Sequence, residues 1–411
     1  MRVLYLNPCG QMGGAETSLL EILRSMRAAV PDWDLRLVLG EDGPLAGRAR
    51  EQGVRVSVVQ FPRALARAGD VSPRGLRALM SLAASAGGAV LYGSKLAAAI
   101  GRIAPDVIHT NGLKMHVLGA WSGPKGTPVV WHIHDYVGSR RLMGRLLRRF
   151  SKRCAAAIVN SHSVEADLNA LMPGIKKTVI YNAIDVEKFS PAGERMDLDR
   201  ACGLPTPPAG TIRVGLVGTF ARWKGHKVFL QALAQLRCRV PVRGYVVGGP
   251  IYQTSGSQWT LEELKREVEQ LGLTGRVGFT GILDNPAAAI RSLDIVVHAS
   301  TQPEPFGMVI VEAMGCGKPV IVSQAGGALE LIEDGRTALG HPPGDAPALA
   351  FAIERLAVDE PLRARLGAAG RAEAVKRFDG SRLARELTGL YLACRDVSGD
   401  GAALLASHLS R

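Results

Sequence analysis

Two short segments carry residue types that could bind a diphosphate and hydrogen-bond neighbouring hydroxyls. In Gly218-Thr-Phe-Ala-Arg222-Trp-Lys224-Gly225 an arginine and a lysine sit in a glycine-bounded turn after an apolar run, from which both can reach a diphosphate. Glu304-Pro-Phe-Gly307-Met-Val-Ile-Val-Glu312-Ala-Met-Gly-Cys-Gly-Lys-Pro-Val reads as a loop running into a helix over 307–314. Glu304 lies in the loop, and Glu312 projects from the helix about two turns after it. Carboxylates accept hydrogen bonds from vicinal diols, so this pair beside a phosphate site suits hydroxyl recognition. Ala325-Gly326-Gly327-Ala-Leu-Glu330 adds a further glycine turn before a helix. A solvated helix start with ordinary turns would need several coincidences at once.

The first half offers weaker signals. Asn7-Pro-Cys-Gly10-Gln-Met-Gly13-Gly14-Ala-Glu16 joins a strand to a helix, and its glycines let backbone N–H groups approach an anion at the helix N-terminus. A simple tight turn would use the same residues. The spacing Gly10, Gly13, Gly14 is not the dinucleotide GxGxxG, although Glu41 and Asp42 stand where a ribose-binding carboxylate would sit. Trp131-His132-Ile133-His134-Asp135 ends another strand, and alternation puts His132 and His134 on one face. A histidine there can hydrogen-bond a sugar hydroxyl; a structural residue paired with Asp135 fits equally. No third ligand pattern accompanies the histidines, so no metal site is expected. Asp32–Asp34 and Asp197–Asp199 read as solvated turns rather than metal–nucleotide motifs.

The elements that must position these residues are short apolar runs alternating with longer amphipathic segments. Strands are expected at Val3–Asn7, Arg36–Leu39, Val54–Val59, Val107–Thr110, Val129–His132, Ala157–Asn160 and Thr178–Tyr181. A second set follows at Ile212–Gly218, Arg243–Val247, Val277–Thr280, Ile295–His298 and Pro319–Ser323. Helices are expected at Ala15–Met26, Gly88–Ile103, Gly225–Leu236, Leu261–Leu271, Pro286–Leu293, Gly307–Met314 and Ala346–Leu356. Near-continuous apolar strands alternating with helices mean buried parallel sheets, an α/β fold with right-handed crossovers. At 411 residues two domains are the natural expectation. A Pro-, Gly- and charge-rich linker over 186–210 separates a first domain, 1–185, from a second, 211–380. A helical tail over 381–411 follows, for which a return to the first domain is one option. Ligands in such folds bind beyond the carboxyl ends of the strands, which puts the expected site in the cleft between the domains.

With 47% hydrophobic and 21% charged residues, the composition excludes disordered, collagen-like and coiled-coil chains. Six cysteines lie far apart with no CxxC pair, which supports neither a disulfide scaffold nor a zinc site and fits a reducing cytoplasm. The opening strand-like run Arg2–Asn7 leaves no room for a signal peptide, and Ala78–Ser94 is too diluted by Ser and Gly for a bilayer span. Of the net charge of +13, nearly all belongs to residues 1–185, with 24 basic against 13 acidic side chains. An anionic partner and a merely soluble, arginine-rich surface account for this equally well. Residues 138–154, GSRRLMGRLLRRFSKRC, carry Arg140, Arg141, Arg145, Arg148, Arg149, Lys152 and Arg153 and no acid. Met143, Leu146, Leu147 and Phe150 recur at helical spacing. One reading is a surface helix on anionic lipid at the inner face of the membrane; the other is a domain helix with solvated arginines. Nucleic acid is not expected, because no aromatic platform accompanies the charge.

Glu304-Pro-Phe-Gly-Met-Val-Ile-Val-Glu312 resembles the E-x7-E motif of the retaining GT-B glycosyltransferases of the glycosyl transferase group 1 class, family 4. Gly13-Gly14-Ala-Glu16, Asp106-Val-Ile-His-Thr-Asn111, His134-Asp135, Val159-Asn-Ser161, Ile180-Tyr-Asn-Ala-Ile-Asp185, Trp223-Lys-Gly225 and Gly326-Gly327 follow in the family's order over nearly the whole chain. The resemblance implies the GT-B fold, two Rossmann-like βαβ domains facing each other across a deep cleft. It implies that Glu304 contacts the donor sugar's hydroxyls, Glu312 the ribose and Lys224 the diphosphate. The backbone of Phe306, Gly307, Met308 and Val309 would line sugar and phosphates. Gly14 would approach from the opposite domain, His134 would face the transferred sugar, and Asn111 and Lys114 would stand on the acceptor side. Many family members carry an arginine five residues before the lysine; here Thr219 occupies that position and Arg222 is the candidate replacement. The implied reaction is retaining transfer of a sugar from a nucleotide diphosphate-sugar to a carbohydrate, lipid-linked or natural-product acceptor, as in polysaccharide biosynthesis. Neither a cofactor nor an obligatory metal is implied. Two rivals use the same residues: a nucleotide-sugar epimerase or hydrolase on this fold, and a non-catalytic nucleotide-sugar-binding module.

Overall fold

A computed structural model of the chain describes residues 1–62, 76–250 and 257–398. It divides into two units, Met1–Ala183 with the chain from Gly380 onward, and Ile184–Asp379. Each unit is built on one sheet whose described strands all pair in parallel.

In the first unit the strands are β1 (Arg2–Asn7), β2 (Asp34–Leu39), β3 (Arg55–Val58), β4 (Val107–Asn111), β5 (Val129–Ile133), β6 (Cys154–Val159) and β7 (Lys177–Val179). Their order across the sheet is β3-β2-β1-β4-β5-β6-β7. Alternation along β1 sends Val3 and Tyr5 into one core with Leu19, Ile22 and Leu23 of helix Gly14–Ala29. Leu4 and Leu6 enter the opposite core with Leu96 and Ile100 of helix Leu76–Ile103. A strand covered on both faces has no polar positions, which is why it reads as a continuous apolar run. Helix Gly380–Ser398 adds Leu383, Leu387 and Tyr391 to the core that holds Val3 and Tyr5.

The second unit holds β8 (Ile212–Val217), β9 (Val242–Val247), β10 (Val277–Gly281), β11 (Ile295–His298), β12 (Val320–Ser323) and β13 (Leu339–His341), in the order β10-β9-β8-β11-β12-β13. In each sheet the chain winds outward one way from its first strand, then returns and winds the other way. The loops after β1 and β4, and after β8 and β11, therefore diverge and leave a crevice at the carboxyl ends of those strands. All the glycine turns singled out in the sequence fall on such loops or on the one after β12.

Some expectations are corrected. Asp199 is not a solvated turn residue: it is 6% exposed and accepts hydrogen bonds from Tyr245 (2.6 Å), Arg243 (2.6 Å) and Arg213 (3.1 Å). Burial opposes its charge, but these three donors outweigh burial and hold its carboxyl below the usual range. The expected linker is thus partly packed into the second unit, including a helical turn at Leu198–Ala201. Asp34 opens β2 between Arg36 and Arg2, whose hydrogen bonds bring its carboxyl down to about 2. The basic segment is helical only over Arg141–Phe150, with a short 3-10 turn at Ser151–Arg153 and β6 beginning at Cys154. Leu147 is buried with Met143 and Phe150 packed beside it, whereas Leu146 faces outward at 40% exposure, as does Leu142 at 65%. No helix among the described residues is long and apolar enough to cross a membrane.

Candidate functional site

The crevice of the second unit gathers the two acidic and basic motifs that lie 80 residues apart in sequence. The loop after β8 makes a 3-10 turn over Arg222–Lys224 and ends at Gly225. It is stitched to the loop after β11, because Thr301 donates its backbone N–H to the Trp223 carbonyl at 2.7 Å. Gly225 has φ 78°, and a Cβ there would lie 1.8 Å from the Ala299 carbonyl oxygen. Gly225→Ala should therefore cost about 3 kcal/mol or more, from left-handed strain plus a backbone overlap that no rotamer relieves. A denaturant melt checks this, and an unchanged midpoint would contradict the loop geometry.

This stitching delivers the Lys224 ammonium to Glu304, at 2.9 Å from Oε1 and 2.8 Å from Oε2. The Ser300 hydroxyl donates to Oε2 at 2.8 Å, and His298 Nε2 lies 3.2 Å from it. Glu304 is 6% exposed. Burial alone would push its carboxyl upward; the Lys224 charge and the His298 bond override burial and hold it well below the usual range. Its backbone is fixed as well, since Glu304 pairs with Gly326 and its carbonyl accepts from the Gly327 N–H at 2.7 Å.

Glu304 sits against the start of helix Met308–Gly315, whose N-cap is Gly307 at φ 105°. Phe306 is buried and its ring packs on Phe378 with centroids 6.0 Å apart, so only its backbone serves the loop. Met308 and Val309 are half-buried on the first turn. That turn carries unpaired backbone N–H groups and the positive end of the helix dipole. Glu312 lies farther along the same helix at 9% exposure. Burial raises its carboxyl to about 7, with Lys188 pulling the other way. The loop and the helix after it thus hold one carboxylate well below its usual range and another raised by burial.

Arg222 is turned elsewhere. Its guanidinium lies 3.7 Å from the centroid of the Trp259 ring and donates to Glu263 at 3.2 Å, while Lys224 stands 4.2 Å over the Trp223 ring. Thr219 is half-buried in the same loop.

The first unit has its own crevice cluster. Gly14 is the exposed first residue of its helix, and a Cβ there would meet nothing within 4 Å. His134 follows β5, its ring 3.9 Å from that of His132, so the two histidines do share a face. Its partner is Asn111, at 2.5 Å from Nε2, whereas Asp135 pairs with Arg140. Asn111 is 1% exposed and stands behind His134 rather than at the surface. Lys114 lies half-buried on helix Leu113–Ser122. Burial lowers His134 to about 4, and burial with the neighbouring His134 lowers His109 to about 3.

Sequence reasoning missed His298 and Ser300, two further partners of Glu304, and Asn7, which supports Asn111. A histidine ending a strand with a serine two residues on and a glutamate six residues on was the available signal for the first pair.

Residues 206–373 match the family described as glycosyl transferases group 1, and residues 12–188 match glycosyltransferase family 4. The lipopolysaccharide core biosynthesis mannosyltransferase LpsB of Rhizobium meliloti is 32% identical over 66% of this chain and 81% of that one. The D-inositol 3-phosphate glycosyltransferase of Stackebrandtia nassauensis is 34% identical over 57% of this chain and 53% of its own. The chain thus spans about half the length of several curated relatives it matches. Among solved structures, Anabaena Alr3699/HepE in complex with UDP and glucose superposes with a TM-score of 0.77 at 27% identity, over 96% of this chain and 100% of that one. A sucrose-phosphate synthase from Thermosynechococcus elongatus shares the fold with a TM-score of 0.75 at 22% identity, over 96% of this chain and 99% of that one.

Proposed function

Because the chain belongs to the glycosyl transferases of group 1, we propose that it moves a sugar from a nucleoside diphosphate to an acceptor hydroxyl with retention at the anomeric carbon. The observation that carries this reading is the Lys224–Glu304 pair at the carboxyl ends of β8 and β11, against a helix N-terminus. As the anomeric C–O bond breaks, its electrons pass to the departing phosphate. Lys224 and the N-terminus of helix Met308–Gly315 supply the positive counter-charge. The sugar becomes oxocarbenium-like, and the ionised Glu304 stands beside it. Glu304 is held by Lys224, Ser300 and His298, which suits it to fixed electrostatic support better than to proton donation or covalent attack. The acceptor then attacks on the leaving-group face, and the departing phosphate oxygen takes its proton. Glu312 holds the ribose.

The test is a thermal-shift screen with UDP, GDP, ADP and their sugars. A donor present at about 100 Kd should stabilise the protein by about 2.7 kcal/mol. With the donor found, Glu304→Gln should lower kcat roughly 10²- to 10³-fold, because it removes a charge used in the transition state. Consumption of the nucleotide sugar at the same rate with and without acceptor would instead indicate a hydrolase or epimerase.

A lipid-linked acceptor at an anionic surface extends the proposal. Leu142 and Leu146 project outward from helix Arg141–Phe150 among the exposed Arg141, Arg145, Arg148 and Arg149, a combination that adsorbs to anionic lipid. LpsB is named for lipopolysaccharide core biosynthesis, and a Mycobacterium leprae relative, 36% identical over 41% of this chain and 42% of its own, is named a phosphatidyl-myo-inositol mannosyltransferase. The chain should co-sediment with anionic vesicles at low salt, and Arg145, Arg148 and Arg149 changed together to Glu should abolish this. Failure of the unaltered protein to sediment would end the membrane reading.

A further inference from the structure

In the first unit a chain of side chains runs from the Gly13–Gly14 turn to His134, and its hydrogen bonds can point in only one direction. Asn7 Nδ2 lies 2.6 Å from the Cys9 carbonyl and 3.3 Å from Glu16 Oε1. A carbonyl oxygen cannot donate, so the atom that Asn7 turns to it must be its NH2 group. Asn7 Oδ1 is then the acceptor that faces Asn111 at 2.7 Å, and Asn111 must answer with its own NH2 group. The same NH2 group faces a second pure acceptor, the Ala15 carbonyl, at 3.5 Å. Asn111 is left with Oδ1 towards His134 Nε2 at 2.5 Å. Two lone pairs cannot meet at that distance without a hydrogen between them, so Nε2 carries it.

We propose that Asn7, Asn111 and Glu16 are positioning residues that lock His134 in its Nε2–H tautomer, so that Nδ1 presents a lone pair to a donating ligand hydroxyl. Burial keeps the imidazole neutral, which makes the tautomer the only variable that decides the polarity of Nδ1. No described group donates to Nδ1, and the ring is half-buried, packed on His132 at one side. Glu16 closes the chain at its far end, since its Oε2 accepts from the Gly13 N–H at 3.1 Å. The glycine turn and His134 are therefore parts of one hydrogen-bonded piece. The use of Nδ1 for a sugar hydroxyl rests on the transferase reading; the tautomer itself does not.

The experiment is a long-range proton–nitrogen correlation spectrum of the full-length 15N-labelled chain without ligand, with the His134 signals assigned by their loss in His134→Gln. The expected result is a single tautomer protonated at Nε2. Asn7→Ala, which does not touch His134, frees the Asn111 amide to turn over and should move a measurable fraction of His134 to the Nδ1–H form. Asn111→Ala should make the Nε2 proton exchange with water roughly tenfold faster. A wild-type His134 protonated at Nδ1 overturns the proposal, as does an unchanged tautomer in an Asn7→Ala protein of native melting temperature. Should Asn7→Ala not fold, the wild-type spectrum and Asn111→Ala decide. Loss of transferase activity in any assay leaves these spectra, and the inference, untouched.

Discussion

Lys224→Ala should cost the second unit about 3–5 kcal/mol, and adding Glu304→Gln should return most of it. Glu304 is 6% exposed and ionised, and Lys224 is the cation beside it. Removing one partner of a buried ion pair leaves the other charge desolvated and uncompensated, which is the expensive half of such a pair. Glutamine removes that charge while keeping an oxygen for Ser300. The pH dependence follows from the depressed carboxyl. The pair's contribution is present above the unfolded carboxylate pKa and fades as pH falls towards the folded value. The penalty of Lys224→Ala should therefore be large at neutral pH and shrink in acid. Binding should behave differently. Both the single and the double variant lack the ammonium, so both should lose roughly 10- to 100-fold in nucleoside diphosphate affinity. Urea melts and calorimetric titrations of the two variants separate stability from binding.

Glu312→Gln should act in the opposite sense on stability. Burial lifts this carboxyl from its ordinary 4.5 to about 7, so the folded chain resists its ionisation. Stability is full below the unfolded pKa and is lost as pH rises through the folded one, by up to about 3 kcal/mol. The substitution should leave the melting temperature unchanged near pH 5 and raise it by several degrees near pH 8.5. A carboxylate kept at such cost fits a role in holding hydroxyls. If it holds the donor's ribose as proposed, its loss should raise the donor KM and spare kcat, because binding that is equal in ground and transition states does not alter the barrier from the bound complex. A variant that gains no more over the wild type at pH 8.5 than at pH 5 would contradict the burial argument.

The parts of this fold that were legible are those set by local sequence. Strands such as β1 and β11, whose apolar runs Val3–Leu6 and Ile295–Val297 end in a polar residue and a turn, announce themselves, and so do the helices after the glycine turns. The period of two along β5 placed His132 and His134 on one face. By contrast β13 has three residues, Leu-Gly-His, too few for a period. Asp199 lies in a stretch whose Pro and Gly content signals a loop, and its burial comes from Arg213, Arg243 and Tyr245 on distant strands. Leu146 shares helical spacing with Leu147, and only the packing shows which of the two the core takes. In the site, Glu304, Glu312 and Lys224 were marked by type and spacing. The contact of Lys224 with Glu304 depends on which strands are neighbours, and no spacing within either motif contains that.

The proposed function turns on a nucleoside diphosphate entering the crevice after β8 and β11 and meeting Lys224. The most direct measurement is calorimetric titration of UDP, GDP and ADP into the wild type and into the Lys224→Ala, Glu304→Gln double variant, with melts run alongside. At least one diphosphate should bind the wild type, and a double variant of near-native melting temperature should bind it at least roughly tenfold more weakly. Equal affinity in the two proteins, or no binding of any of the three to the wild type, would contradict it.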